Sequence, residues 1–138
     1  MHYSYEIDIT TADDIDAPVV FPIKLQSGIL TEFDLVFEVG DGYSSCVSLW
    51  DKTIQLLPNN SEGYYSGDGI RINAPLYHKL SEIGNDLYIV AWNRGGIYDH
   101  TVSVMLSVKG DNEPDVTDLM DKLLSVIDNG IDLIKKWM

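Results

Sequence analysis

His2, His78 and His100 are the first residues to test for chemistry, because imidazole is both a metal ligand and a base near neutral pH. None lies in a His-x-His or His-Glu-x-x-His arrangement, so a zinc site would have to be assembled from distant strands. A Gly-x-Ser-x-Gly nucleophile turn is absent. Gly67-Asp68-Gly69 lacks the lysine and following helix that a phosphate-cradling loop needs. Carboxylates are numerous, but an acid and base pair cannot be picked out by number alone. Asp13, Asp14 and Asp16, or Asn59, Asn60, Glu62 and Asp68, carry oxygen ligands suited to Ca²⁺. Neither set has the glycine and acidic spacing of an EF-hand, so both read as turn-forming polar loops. The expectation is a protein that is not an enzyme and uses no cofactor or metal.

Two further kinds of side chain bear on function. Tyr43, Trp50, Tyr64, Tyr65, Trp92 and Tyr98 include several aromatics near loops, where ring faces stack on sugars, although core packing accounts equally well for Trp50 and Trp92. The single cysteine, Cys46, sits in a strand-like run and reads as a buried small apolar residue. With one cysteine no intrachain disulfide can form, so packing must supply the stability.

The elements that position these residues follow from hydrophobic period. Up to Gly110, apolar residues recur at every second position and are interrupted by Gly or Pro; from Pro114 to the last residue they recur every three or four. Tyr3, Tyr5, Ile7 and Ile9 alternate with polar residues. Phe21, Ile23 and Leu25 form a second run, whose Pro18 and Pro22 suit a sheet edge. Ile29, Thr31, Phe33, Leu35, Phe37 and Val39 face Glu32, Asp34 and Glu38 across the longest strand, which implies one wet face. Residues 46–50 begin a strand that continues after Asp51-Lys52 to Leu57, and Tyr64-Tyr65 can pair only briefly. A short strand at 70–73 leads into 75–80. Residues 87–92 and 101–108 read as a hairpin-like pair around 93–99, with Gly95 and Gly96 in positive-φ turn conformations that set its register. Arg94 and Tyr98 then stand on the rim, available to a neighbour. Phe33, Leu35, Phe37, Ile89 and Val104 are expected in the core.

About eight strands at this spacing predict a mainly β chain, an antiparallel β-sandwich of residues 1–110. A jelly roll is preferred, with an immunoglobulin-like sandwich as the alternative. Residues 111–138 are expected to form a C-terminal amphipathic helix, in one piece or broken at Asn129-Gly130. Leu119, Leu123, Ile127, Ile131 and Ile134 share one face, with Trp137 near the end. Burying the apolar side chains of this stripe is worth on the order of 10 kcal/mol before entropy is subtracted. The stripe therefore needs a surface: the sandwich itself, other copies of the chain, or lipid.

Charge narrows the partners. The 138 residues hold 22 acidic and 9 basic side chains, for −13 at pH 7. Residues 1–110 carry 15 acidic against 6 basic, a balance of −9, and the tail 7 against 3, a balance of −4. With no basic patch, direct binding to nucleic-acid phosphates is disfavoured. The N-terminus lacks a basic segment followed by an apolar core, and no apolar run approaches the ~18 residues of a membrane span. Synthesis in the cytoplasm without a signal peptide is the expectation.

The stretch 28–108, with Leu57-Pro58-Asn59 before a Gly-rich loop, Ala91-Trp92-Asn93 ending one strand and Tyr98-Asp99-His100-Thr101-Val102 opening the next, resembles small phage proteins with a sandwich body and helical tail. In architecture it is similar to the single jelly-roll vertex (penton-type) and capsid proteins of tailless icosahedral phages. That resemblance implies a non-enzymatic structural role in a virion, as a vertex or capsid-decoration subunit. The implied partners are further copies of the chain, other capsid proteins and, through the tail, the virion membrane. A carbohydrate-binding or adhesion sandwich is the alternative.

Overall fold

The computed structural model of the chain describes residues 1–60, 62–80, 86–110 and 123. Eight strands follow one another: β1 (His2–Ile9), β2 (Val19–Ile23), β3 (Gly28–Phe37), β4 (Ser45–Asp51), β5 (Ile54–Leu57), β6 (Arg71–Leu80), β7 (Leu87–Asn93) and β8 (His100–Lys109). They form two four-stranded antiparallel sheets, ordered β1-β8-β3-β6 and β2-β7-β4-β5. The expected β-sandwich is therefore present. Residues 111–138, expected to form a helical tail, lie outside the described residues except for Leu123, which is helical and 61% exposed.

The alternation read from sequence places the core between the sheets. Ile7, Ile9, Phe33, Leu35, Phe37, Val47, Leu49, Ile89, Val102, Val104 and Leu106 are all fully buried there, including the five residues expected to build the core. The interior is thus occupied by side chains. Cys46 is buried too.

Several pairings differ from those the sequence suggests. Residues 87–92 and 101–108 do not form a hairpin: β7 pairs with β2 and β4 in one sheet, while β8 pairs with β1 and β3 in the other. Period-two alternation identifies a strand with one buried face, but it carries no information about which strand lies beside it. Segments 46–50 and 53–57 are not one interrupted strand. They are the β4–β5 hairpin, turned at Lys52, whose φ is 54°.

In β3, a bulge between Leu30 and Glu32 shifts the register against both neighbours, so Leu30 rather than Ile29 enters the core. The strand ends at Phe37, and Val39 is 90% exposed. The wet face expected for β3 is interrupted at Asp34, which is buried and accepts hydrogen bonds from Arg71 Nη2 at 3.0 Å and Asn73 Nδ2 at 2.5 Å. β6 runs unbroken through Pro75, because it is an edge strand and Pro75 sits opposite Glu32, at the bulge. Tyr65 makes a single antiparallel bridge with Val47, the brief pairing expected.

Candidate functional site

Because the interior is packed, any site must lie on the outside, at an end or on a face. Register brings four loops to one end. The last residues of β1 and β3 pair near the start of β8, and the start of β2 and of β4 pair with the end of β7. The loops 10–18, 38–44, 58–70 and 94–99 therefore meet.

Hydrogen bonds stitch them together. The Asn93 amide donates to the Asp13 carbonyl at 2.7 Å, the Arg94 amide to the Ser44 carbonyl at 2.6 Å, and the Gly69 amide to the Glu38 carbonyl at 3.0 Å. Thr11 N donates to Asp99 Oδ1 at 3.0 Å and Gly40 N to Asp68 Oδ1 at 2.8 Å. Buried His100 places Nδ1 2.8 Å from Glu38 Oε1. On this braced end Ile15, Val39, Tyr43, Ile70, Ile97 and Tyr98 all project into solvent. Six large apolar side chains are thus exposed on the loops of one end.

Arg94 and Tyr98, expected on the rim, are both in the last of these loops. Tyr98 is 68% exposed. Arg94 is committed to the loop scaffold: its guanidinium donates to Tyr64 Oη at 2.6 Å and to the Tyr43 carbonyl at 3.2 Å. Leu119, Ile127, Ile131, Ile134 and Trp137 lie outside the described residues.

Gly95 has the expected positive φ, 73°, but Gly96 does not. Gly96 is constrained by space, since a Cβ there would lie 2.8 Å from both Asn93 Oδ1 and Ser44 Oγ. The two glycines set the crossing between sheets, not a hairpin register.

Of the loop residues with oxygen ligands suited to Ca²⁺, Asp13 and Asp14 are engaged in turns, as the turn reading expects. Asp13 Oδ2 accepts from Thr10 N and Oγ1 at 2.8 and 3.0 Å, and Asp14 Oδ1 accepts from Asp16 N and Ala17 N at 2.9 and 2.8 Å. Such bonds are how aspartates fix turns. Among the described residues no group of three or more His, Cys, Asp and Glu is placed to hold a metal ion.

The second feature is on the outer face of β2-β7-β4-β5. Cross-strand register pairs Trp50 with Tyr88, Ser48 with Val90 and Cys46 with Trp92. Trp50 and Tyr88 lie nearly parallel, 11° apart with centroids at 6.3 Å, and Trp92 meets the edge of Tyr64 at 5.3 Å. Beside them runs a groove of about 400 Å³, lined by Ile15, Ser48, Trp50, Gln55, Glu62, Gly63, Val90 and Trp92. An adjoining recess of about 330 Å³ shares Trp50, Gln55 and Glu62, and adds Thr53 and Asn59. Gln55 Nε2 donates to the carbonyls of Pro58 and Gly63, both at 2.9 Å, which fastens the 58–63 loop as one wall. Glu62 holds a left-handed backbone, φ 63°. Trp50 and Trp92 are visible in the sequence as aromatics of undecided role, whereas Gln55 and Ser48 carry no sequence signal and are found only through register.

Cys46 is on this face, in register with Ser48 and Trp50, but is buried. Burial pushes its thiol up to about 11, so it is protonated at neutral pH. Native protein is expected to resist a disulfide-exchange thiol reagent at pH 8 and to react at once in denaturant; rapid native labelling would contradict the burial. The unfolded thiol ionises from near 9 and the folded one near 11, so this group lowers stability as pH rises across that window and has no effect below it.

In comparisons with known proteins, no family model and no curated protein matches the chain.

Proposed function

We propose that the chain is a non-enzymatic structural subunit of a virion, a single jelly roll of penton or vertex type or a capsid-decoration subunit, that works by assembling with copies of itself. The observation that carries this reading is the strand order. The pairs β1·β8, β2·β7, β3·β6 and β4·β5 are those of one long antiparallel ribbon folded back on itself, and the added pairs β8·β3 and β7·β4 are those made when that ribbon rolls up. This order supports the jelly-roll reading. An immunoglobulin-like sandwich is disfavoured, because its sheets follow a different order, ABED and CFG. Among the described residues β4 and β5 are the only consecutive strands that pair.

Two properties suit assembly. The core is filled by side chains, which leaves the outer surface to carry function, and six apolar side chains sit on one braced end. A closed ring of subunits would cover that end at the ring axis. Other capsid proteins, and a virion membrane reached through residues 111–138, are the further partners of this reading, and the virion is its location. The high negative charge disfavours nucleic acid and keeps free subunits soluble. The mass of the full chain in solution tests the reading. A closed oligomer of several copies is expected at micromolar concentration; a strict monomer at all concentrations would overturn it.

A further inference from the structure

We propose that the groove on the outer face of β2-β7-β4-β5 binds a neutral oligosaccharide, with a sugar ring stacked on Trp50. This does not depend on the assembly reading: the groove lies on a sheet face and the apolar loops on an end, and of the six apolar residues named there only Ile15 also lines the groove.

Ring geometry provides the first part of the argument. Trp50 is half-buried, its Nε1 donates to Ser48 Oγ at 2.9 Å, and its ring lies parallel to that of Tyr88. The Tyr88 hydroxyl in turn donates to the Lys52 carbonyl. Both rings are thus oriented through their polar edges. A pyranose presents a flat array of C–H groups, and the electron-rich face of an indole attracts them.

The second part is the chemistry around the platform. Thr53, Gln55, Asn59 and Glu62 surround one side of Trp50 with a hydroxyl, two amides and a carboxylate. Thr53 and Asn59 both donate and accept, Glu62 accepts, and Gln55, whose Nε2 is held by the Pro58 and Gly63 carbonyls, offers its Oε1 as an acceptor. This mix matches the hydroxyls of a sugar, and an apolar peptide or lipid chain would leave it unpaired. A site of 300 to 400 Å³ with one aromatic wall and a few convergent polar groups fits a small ligand.

Charge selects the kind of sugar. Glu62 lies in the groove of a chain at −13, so sialylated, sulfated and uronic-acid glycans are repelled. The ligand is uncharged.

Calorimetric titration of the full-length protein with maltohexaose, cellohexaose, chitohexaose and mannohexaose tests this, with sialyllactose and a heparin hexasaccharide as charged probes. Saturable binding of at least one neutral hexaose, with quenching of tryptophan fluorescence, is expected. Trp50→Ala should weaken it by about 10- to 30-fold, as for an aromatic anchor. Thr53→Ala combined with Asn59→Ala changes only turn and loop side chains, and should weaken it at least threefold in a protein that melts like the parent. Absence of binding to all four neutral hexaoses at millimolar concentration overturns the proposal. So does tighter binding of either charged probe, or an affinity that the Thr53 and Asn59 changes leave untouched.

Discussion

Phe33→Ala is expected to cost about 3–5 kcal/mol, the usual range for truncating a large aromatic in a packed core. Phe33 is fully buried on β3, which lies between β8 and β6, and its ring meets Tyr65 at 6.4 Å. Tyr65 reaches that contact from the loop side, through its bridge to Val47. The substitution therefore opens a cavity and also frees the segment that extends β4 beyond β5. At roughly 3–5 °C per kcal/mol for a domain of this size, the melting temperature should fall by about 10–20 °C. A change within a few degrees would mean that the sheets do not meet at Phe33.

Asn93→Ala is the second large expected effect, about 2 kcal/mol. Asn93 is only 5% exposed, and its side chain braces the β7–β8 loop in both directions: Nδ2 donates to the Tyr98 carbonyl at 3.0 Å and Oδ1 accepts from the Gly96 amide at 2.7 Å. Alanine removes the partner of two part-buried backbone groups, a loss of about 1 kcal/mol for each hydrogen bond. The loop carries Ile97 and Tyr98, so loss of this brace should also loosen the apolar end. Thermal unfolding reports the first effect. Faster amide exchange at Gly96 and Ile97 than elsewhere in the chain reports the second, and uniform exchange would show that the loop is held by other means.

Strands were legible where alternation was undisturbed. β1, β7 and β8 follow directly from Ile7, Ile89 and Val104 and their polar neighbours, because burial on one face imposes a period of two. Partners were not legible. The β7 and β8 sequences alternate equally well whether they pair with each other or lie in opposite sheets, so the crossing at 93–99 looks like a hairpin turn until register is known. The bulge at Leu30 hides for a related reason: one inserted residue changes the face of everything before it, and Ile29 and Leu30 are equally apolar, so neither marks which of them faces the core. Of the outer surface, Arg94 and Tyr98 were read as rim residues. By alternation Val39 belongs to the inner end of a strand, yet it is the most exposed of the apolar side chains on the loop end, because β3 stops at Phe37. The groove was half visible, as Trp50 and Trp92. Its polar wall required the β4–β5 hairpin that places Gln55 opposite Trp50.

Sedimentation velocity on the full chain, side by side with Val39→Asp combined with Ile97→Asp, tests the assembly account most directly. Both side chains are exposed in the monomer, at 90% and 79%, so the double variant should fold and melt like the parent. The account predicts a discrete oligomer of several copies for the parent and a monomer for the variant, because two carboxylates buried per contact cannot be solvated there. A parent that sediments as a monomer, or a variant that keeps the parent's oligomer, would contradict it.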